Sequence, residues 1–286
     1  MIKNMSQEEG LRIRVLSDNY CPVGKMFRGE PAFSLFLEDG DRKILFDTAY
    51  SDLFIRNAER MGIDLTEIDA IVLSHGHFDH THGLVHLMDY LNVRQVHRKI
   101  DLICHEEALL PKRCRGESFG NLLSPADLEN HFHIIRSREP IQVTPHLLFL
   151  GEIERKFDFE AFEPMGEVLK DGAWQPDELI DDSALAYVGR DAVSVISGCA
   201  HSGICNITEQ ARRLSGHSKV RRLLGGFHLQ KPSPERLEGS LNYLEELQAD
   251  YVDPLHCVDI LSRCALSQRV PISQFGVGSE IFIPLN

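Results

Sequence analysis

The stretch SHGHFDHTHGL, residues 74–84, places four histidines and one aspartate within eleven residues. It directly follows IDAIVLS, a short apolar run that predicts a buried strand. Side chains at the carboxyl end of such a strand point into the crevice above a sheet, where α/β proteins bind ligands. His75 and His77 are two residues apart and project to the same side of an extended loop, with Asp79 two further on and His80 beside it. So many polar groups in one loop would be costly without a ligand, and the stretch therefore predicts a metal site.

The ligand types in this loop limit the choice of metal. Neutral imidazole suits zinc, iron and manganese, and carboxylate suits the harder ions of that range. Two ligands can go to one ion and two to a second. We therefore predict two divalent metal ions, with zinc favoured and iron or manganese as alternatives.

Composition excludes several classes of protein. The chain has 286 residues, of which 43% are hydrophobic and 26% charged, as in ordinary globular proteins. Its formal net charge of −13 argues against a general nucleic-acid or anionic-membrane partner. No apolar run is long enough to span a bilayer, and the N-terminal stretch MIKNMSQEEG lacks the apolar core of a signal peptide. Seven scattered cysteines then indicate reduced thiols, and we expect a cytoplasmic protein.

The order of predicted elements indicates one α/β domain over residues 1–286. The segment 33–47 contains two apolar runs joined by EDGD, which is a hairpin signal. Residues 98–180 are less regular, and we interpret them as an insertion or a lid over a pocket. Two strands around a turn follow at 184–198, and helices and strands then alternate to the end.

The motif His75-x-His77-x-Asp79-His80 is the signature of the metallo-β-lactamase superfamily, which the chain resembles over nearly its whole length. Four later motifs resemble a narrower branch that contains dihydropterin–ribofuranosylaminobenzene-phosphate synthases and metal-dependent hydrolases. These four are DDSAL at 181–185, SGCAHSGICN at 197–206, GGFHL at 225–229 and PLHC at 254–257, while ILFDT at 44–48 resembles the early strand motif of the superfamily as a whole. The resemblance implies a four-layer αββα sandwich with a metal site at one edge of its two sheets. It assigns His75 and His77 to a first metal position, and Asp79 and His80 to a second.

Further ligands are expected at strand ends in the second half of the chain. His201 follows the apolar run 192–197, and His256 follows DYVDP and matches the last histidine of the superfamily. The superfamily also has a third histidine in a glycine-rich turn and a bridging aspartate, and neither is present here in plain form. Three candidates for completing the metal shells stay open, namely Cys199 at the place of the bridging aspartate, Asp182 and His228.

Other residues have predicted roles around the metals. By resemblance, Asp47 supports a metal-bound histidine and fixes its tautomer. His82 stands where the superfamily has glycine, and we favour a solvated pair with His86 over a third metal site. A second H-x-H, His131 and His133, lacks the aspartate and the preceding strand, and we interpret it as incidental.

Basic residues in the irregular region have two interpretations. They could bind a phosphate, since guanidinium groups match its geometry, or they could form solvated basic surfaces, which we favour. The residues concerned are Lys112, Arg113, Arg115, Arg155 and Lys156.

These features predict a metal-dependent hydrolase that directs a metal-activated water at a small anionic metabolite carrying a phosphate or ester. Metal lowers the pKa of bound water from about 15.7 toward about 7. Asp79 would orient the nucleophile, and His228 would assist the leaving group as acid or base. A synthase-type transferase, which expels pyrophosphate as it forms a C–N bond, is the first alternative. A redox protein or a non-catalytic binding module is the alternative of another class.

Overall fold

The structure is a computed structural model that describes residues 9–24, 26–161 and 164–286. Residues 1–8, on which most of the signal-peptide prediction depends, lie outside the described part. The strands are β1 (Gly10–Ser17), β2 (Ser34–Asp39), β3 (Arg42–Phe46), β4 (Ala70–Val72), β5 (Ile100–Cys104), β6 (Lys112–Cys114), β7 (Glu117–Ser118), β8 (Phe132–Arg136), β9 (Ile141–Gln142), β10 (Leu147–Phe149), β11 (Glu167–Lys170), β12 (Ala173–Pro176), β13 (Ala184–Val188), β14 (Val193–Ser197), β15 (Val220–Gly226), β16 (Tyr251–Leu255) and β17 (Glu280–Pro284). The helices are α1 (Leu53–Arg60), α2 (Phe78–Thr81), α3 (Gly83–Val93), α4 (Pro125–His131), α5 (Ile204–Ser215), α6 (Pro234–Leu247) and α7 (Ile260–Ser267), with 3-10 turns at Leu65–Glu67 and Asp158–Glu160.

Two large sheets pack face to face. One has seven strands in the order β17-β1-β2-β3-β4-β5-β8, and the other has six in the order β16-β15-β14-β13-β10-β9. Alternate residues of each strand point inward, as the period of a strand requires. Thus Leu35 and Phe46 from the first sheet and Phe149, Leu185 and Leu224 from the second share one buried core.

Helices cover the outer face of each sheet. Phe54 of α1 and Leu87 of α3 pack in one core with the outer residues of the seven-stranded sheet. Ile207 of α5, Leu244 of α6 and Leu266 of α7 do the same on the six-stranded sheet. The layers are therefore helix, sheet, sheet and helix, and the predicted αββα sandwich is confirmed.

The region predicted as a lid is divided among three sheets. Strands β5 and β8 belong to the seven-stranded sheet, and β9 and β10 belong to the six-stranded one. Only β6, β7, β11 and β12 form a separate four-stranded sheet. Phe119, just after β7, accepts a backbone hydrogen bond from Phe78 of the histidine loop at 3.0 Å. A lid role for this small sheet stays a prediction.

Parallel strands bring the chemically important residues to one edge. Strand β3 is parallel to β4, and β14, β15 and β16 are mutually parallel. Their carboxyl ends carry Asp47, His75, Cys199, His228 and His256 respectively. None of the helices in the described part is long and apolar enough to cross a membrane.

Candidate metal centre

Three buried histidines form the first cluster at this edge. The Nε2 atoms of His75 and His201 lie 3.2 Å apart, and the ring of His77 is centred 4.6 Å from His75 and 4.9 Å from His201. Burial, and then the charge of Lys112, lowers the pKa of His77 to about 3 although Asp79 and Asp181 act in the opposite direction. Burial, and then the neighbouring imidazoles, lowers the pKa values of the other two well below the ordinary value. All three imidazoles are therefore neutral at physiological pH, which is the form that binds a metal.

Asp79 joins two further histidines in a second cluster. Its Oδ2 lies 3.3 Å from Nε2 of His256 and 3.8 Å from Nε2 of His80. Burial alone would raise the pKa of Asp79, but the imidazoles of His80 and His256 outweigh burial and hold it below its usual range. Burial likewise acts to lower the pKa of His256, yet the hydrogen bond to Asp79 raises it to about 9. One carboxylate and two imidazoles thus converge on one point.

Buried nitrogen atoms test whether these residues fit a metal. Nε2 of His77 and Nε2 of His80 are both buried, and neither has a hydrogen-bond partner among the residues that the structure describes. An unsatisfied buried polar atom is costly. A divalent ion in each cluster would satisfy these nitrogens, so the two clusters fit the pair of metal ions that the motif implies.

Asp47 fixes the orientation of His80. The Oδ2 atom accepts hydrogen bonds from Nδ1 of His80 and from the hydroxyl of Ser74, each at 2.7 Å. The Oδ1 atom accepts from the backbone N–H of Ser74, also at 2.7 Å. These contacts keep the proton on Nδ1 and leave Nε2 free to face the cluster. The structure therefore places Asp47 where the sequence predicted a supporting carboxylate.

His256 is held by residues that the sequence did not point to. Its Nδ1 lies 2.9 Å from Oδ1 of Asn19, and its backbone N–H donates to Asp18 at 2.6 Å. Both partners precede His256 by more than 230 positions. The short segment after β1 therefore orients this histidine as Asp47 orients His80.

Cys199, Asp182 and His228, the three candidates for completing the metal shells, occupy different places. Cys199 belongs to a group with His75 and His201 and to another with His80 and His256, and all ligand atoms of each group lie within 4.8 Å of one another. Asp182 accepts a hydrogen bond from the backbone N–H of Ser202 at 2.8 Å. It therefore braces the turn that carries His201.

Burial raises the pKa of Asp182 to about 6, although hydrogen bonds from the backbones of Ser202 and His201 act in the opposite direction. His228, the third candidate, lies at the rim of the first cluster. Its ring is centred 4.3 Å from that of His201. It is half-buried, whereas His201 is buried.

A buried ion-pair network supports the histidine loop, and it corrects the interpretation of Lys112. We predicted a phosphate-binding or solvated lysine, but its side chain is 1% exposed and pairs with Asp177 at 2.7 Å and Asp181 at 3.2 Å. Asp181 also accepts a hydrogen bond from the backbone N–H of Gly76 at 2.8 Å. A Cβ atom on Gly76 would lie 2.2 Å from the carbonyl oxygen of Ala108, so the loop requires glycine there.

The other basic candidates make contacts with other partners. Arg113 pairs with Glu167 at 2.7 Å, and Arg155 donates to the carbonyl oxygen of Leu179 at 2.9 Å. Lys156 pairs with a neighbouring glutamate at 3.0 Å. The structure thus brings none of these three to the two clusters.

The remaining histidines singled out from the sequence lie outside the clusters. Nε2 of His82 donates to the carbonyl oxygen of Gly120 at 2.8 Å, which ties the histidine loop to the small sheet. His86 lines a surface groove between α1 and α3. His131 donates to a backbone carbonyl of α4, and His133 is largely exposed. Among the described residues, none of these four joins a group of potential metal ligands.

A large cavity lies apart from the metal clusters. It has a volume of about 1180 Å³ and is lined by residues such as Arg12, Asp39, His146 and Tyr187. Asp39 ends β2, which starts beside Asp47, so the cavity lies at the opposite edge of the sheets. We place the functional site at the histidine clusters, because convergent ligands rather than volume define a metal site.

The sequence and the fold define the class of this protein. Residues 28–214 match the family model of the metallo-β-lactamase superfamily, and the chain belongs to that superfamily. The fold implies binding of divalent metal, and the superfamily consists mostly of metal-dependent hydrolases.

Three known proteins are similar to this chain over most of its length. The chain is 30% identical over 271 residues to 7,8-dihydropterin-6-methyl-4-(β-D-ribofuranosyl)-aminobenzene-5′-phosphate synthase of Methanocaldococcus jannaschii, covering 90% of each chain. It is similar to the crystal structure of Tm1679, a metal-dependent hydrolase of the β-lactamase superfamily, with a TM-score of 0.81, 26% identity and coverage of 96% and 99%. A diphosphatase from the PhnP family shares the fold, with a TM-score of 0.54, 16% identity and coverage of 97% and 100%.

Proposed function

We propose that the chain is a metal-dependent hydrolase of a small anionic metabolite that carries a phosphate or an ester. The observation that carries this proposal is the convergence of two ligand clusters at one sheet edge, where the buried Nε2 atoms of His77 and His80 have no hydrogen-bond partner among the described residues. The first position would use His75, His77 and His201, and the second would use Asp79, His80 and His256. Zinc suits this donor set best, and iron and manganese are the alternatives.

Divalent metal at these positions would supply a nucleophilic hydroxide at neutral pH and neutralise negative charge on the substrate. Asp79 is suited to orient the nucleophile because its side chain is 19% exposed, whereas those of His80 and His256 are 0% and 4% exposed. Its low pKa keeps it ionised, so it can accept a hydrogen bond from the attacking group.

His228 is suited to assist the leaving group. It lies at the rim, half-buried, with its ring beside that of His201. An imidazole in this position can give a proton to a departing oxygen. Replacement of His228 should therefore lower the rate of hydrolysis more for substrates with poor leaving groups than for activated esters.

The side chain of Arg236 is an argument for a negatively charged substrate. This residue of α6 is 8% exposed, and its Nε and Nη2 atoms have no hydrogen-bond partner in the described part of the chain. The nearby carboxylate of Glu160 is already held by two backbone N–H groups at the start of α5. Burial and the imidazoles of His228, His77 and His80 lower the pKa of His201, and the positive charge of Arg236 acts in the same direction. A buried unpaired guanidinium is costly, and a phosphate would pair with it.

A synthase-type transferase is the second candidate. Its support is the 30% identity to the methanogen synthase over 90% of both chains. The same metals and Arg236 would then serve a phosphate-bearing leaving group, so the site geometry does not separate the two reactions. A panel of phosphodiesters and esters, run beside a dihydropterin diphosphate condensation assay, distinguishes them. Metal binding without turnover in either assay would favour a non-catalytic module.

Metal content tests the site itself. We expect about two metal ions per wild-type chain and a clear loss in an Asp79→Ala/His80→Ala variant, as measured by elemental analysis. A His131→Ala/His133→Ala variant is the matched control, since it also removes an H-x-H pair. Equal metal content in all three proteins would remove the assigned second position.

The class of partner and the cellular location are also proposals. We propose a small-molecule partner rather than nucleic acid or membrane, in keeping with the net charge of −13. We also propose a reducing, cytoplasmic location, because all seven cysteines are free thiols.

A further inference from the structure

Two glycines allow Cys199 to reach the centre of the site. A Cβ atom on Gly198 would lie 2.0 Å from the hydroxyl oxygen of Ser74 and 2.7 Å from Oδ2 of Asp47. A Cβ atom on Gly226 would lie 3.0 Å from the Cα atom of Cys199. The end of β14 therefore packs directly against the histidine loop on one side and against the end of β15 on the other. This close packing places the Cys199 side chain between the two clusters.

We infer that the sulfur of Cys199 is a metal ligand shared between the two positions. This inference rests on the proposed metal site. Sγ of Cys199 groups with one imidazole pair from each cluster, and the atoms of each group lie within 4.8 Å of one another. Cys199 is 4% exposed, so it faces the clusters rather than solvent. A thiolate is a strong ligand for zinc and can replace a bridging carboxylate in neutralising two cations.

The two carboxylates near the clusters are less suited to this place. Asp79 lies near both clusters, because it groups with His75 and His77 and is 3.3 Å from Nε2 of His256, but its side chain is 19% exposed whereas Cys199 is 4% exposed. Asp182, the other carboxylate considered from the sequence, uses Oδ2 to hold the turn that carries His201, and in the described part of the chain it belongs to no group of potential metal ligands. Among the described residues, Cys199 is the only one that groups with two imidazoles of the first cluster and also with two imidazoles of the second.

Cys257 acts as a positioning residue for this sulfur. The two Sγ atoms lie 3.1 Å apart, and Sγ of Cys257 also lies 3.2 Å from the carbonyl oxygen of Cys199. Sγ of Cys257 accepts a hydrogen bond from the backbone N–H of His228 at 3.2 Å. Among the described residues, Cys257 groups with Cys199 and His228 and with none of the histidines assigned to the two metal positions. We therefore expect it to fix the Cys199 side chain without binding either ion.

Cobalt(II) substitution tests this assignment, because a thiolate bound to cobalt gives an intense near-ultraviolet charge-transfer band that imidazole and carboxylate do not give. Wild-type protein loaded with cobalt should show the band. The Cys199→Ser variant should lose it, whereas Cys257→Ser and the exposed-thiol control Cys264→Ser should keep it. A Cys199→Asp variant should regain the wild-type cobalt content without the band, which also guards against a Cys199→Ser variant that fails to fold.

The outcomes separate this inference from the proposed function. Cobalt binding without a band in wild type, or a band that persists in folded Cys199→Ser or Cys199→Asp protein, overturns the thiolate ligand and leaves the metal site standing. Loss of the band in Cys257→Ser but not in Cys199→Ser overturns the inference and assigns the ligand to Cys257. A wild-type protein that binds no cobalt overturns both the inference and the proposed metal site.

Discussion

Replacement of Asp47 by asparagine should weaken metal binding without disturbing the fold. The carboxylate of Asp47 accepts three hydrogen bonds, two from Ser74 and one from Nδ1 of His80, all at 2.7 Å. Asparagine has the same shape but only one oxygen. If that oxygen keeps the bond to the backbone of Ser74, the amide NH₂ faces Nδ1 of His80. His80 must then move its proton to Nε2, and a protonated Nε2 cannot bind metal.

The expected size of the effect follows from the number of bonds lost. Removal of a supporting partner of a metal-bound histidine typically lowers metal affinity about 10- to 100-fold, which is about 1.4–2.7 kcal/mol. One charge-assisted hydrogen bond of about 1.5–3 kcal/mol is sufficient to account for it. Because the introduced amide would keep the bond to the Ser74 backbone, the free energy of unfolding of the metal-free protein should change less than the affinity.

Competition with a chelator measures the affinity of wild-type and Asp47→Asn protein. Asp39→Asn is the matched control, since Asp39 is also buried and hydrogen-bonded, to Thr144 and His146, but lies at the opposite end of β2. Unchanged affinity in Asp47→Asn would refute the role of Asp47, as would an equal loss in the control.

Three further predictions follow from the same contacts. Lys112→Met leaves two buried aspartates unpaired, so urea denaturation should show a loss of about 3–5 kcal/mol, and an unaltered midpoint would contradict the ion-pair network. Arg236→Gln should lower kcat/KM about 10- to 100-fold for a phosphorylated substrate while metal content stays constant, and an equal loss with a neutral ester would argue against anion binding. Removal of metal should lower Tm, because metal at 100 times its Kd stabilises the folded state by about 2.7 kcal/mol, and a Tm that does not respond to added metal would exclude the proposed binding.

The parts of the site that could be predicted from sequence are those that lie close together along the chain. His75, His77, Asp79 and His80 form one loop, and their spacing alone indicates two ligand pairs. The EDGD turn between two apolar runs was likewise sufficient to predict the hairpin of β2 and β3, because a short turn of this composition joins neighbouring antiparallel strands. These signals are local, so a single sequence carries them.

The supporting contacts were hidden because they join distant segments. Lys112 looked like a surface residue of the irregular region, since its buried partners come 65 and 69 residues later. Asn19 and Asp18 reach His256 across more than 230 residues. Cys199 could be named as a candidate, but its place between both clusters depends on the packing of β14 against the histidine loop. Such pairings are set by the three-dimensional fold and leave no periodic signal in the sequence.

Backbone conformation explains how strand ends supply residues of the site. Asp47, His228 and His256 have positive φ values of 58°, 48° and 42°, which side-chain-bearing residues seldom adopt. Each follows a parallel strand, and the left-handed turn bends the chain so that its side chain returns over the sheet edge. Glycine would adopt this turn freely but has no side chain to contribute to the site. The backbone strain of the residues present therefore costs about 1–3 kcal/mol at each position. The three large buried cores offset that cost, and we conclude that packing energy from the two sheets holds the metal-binding geometry in place.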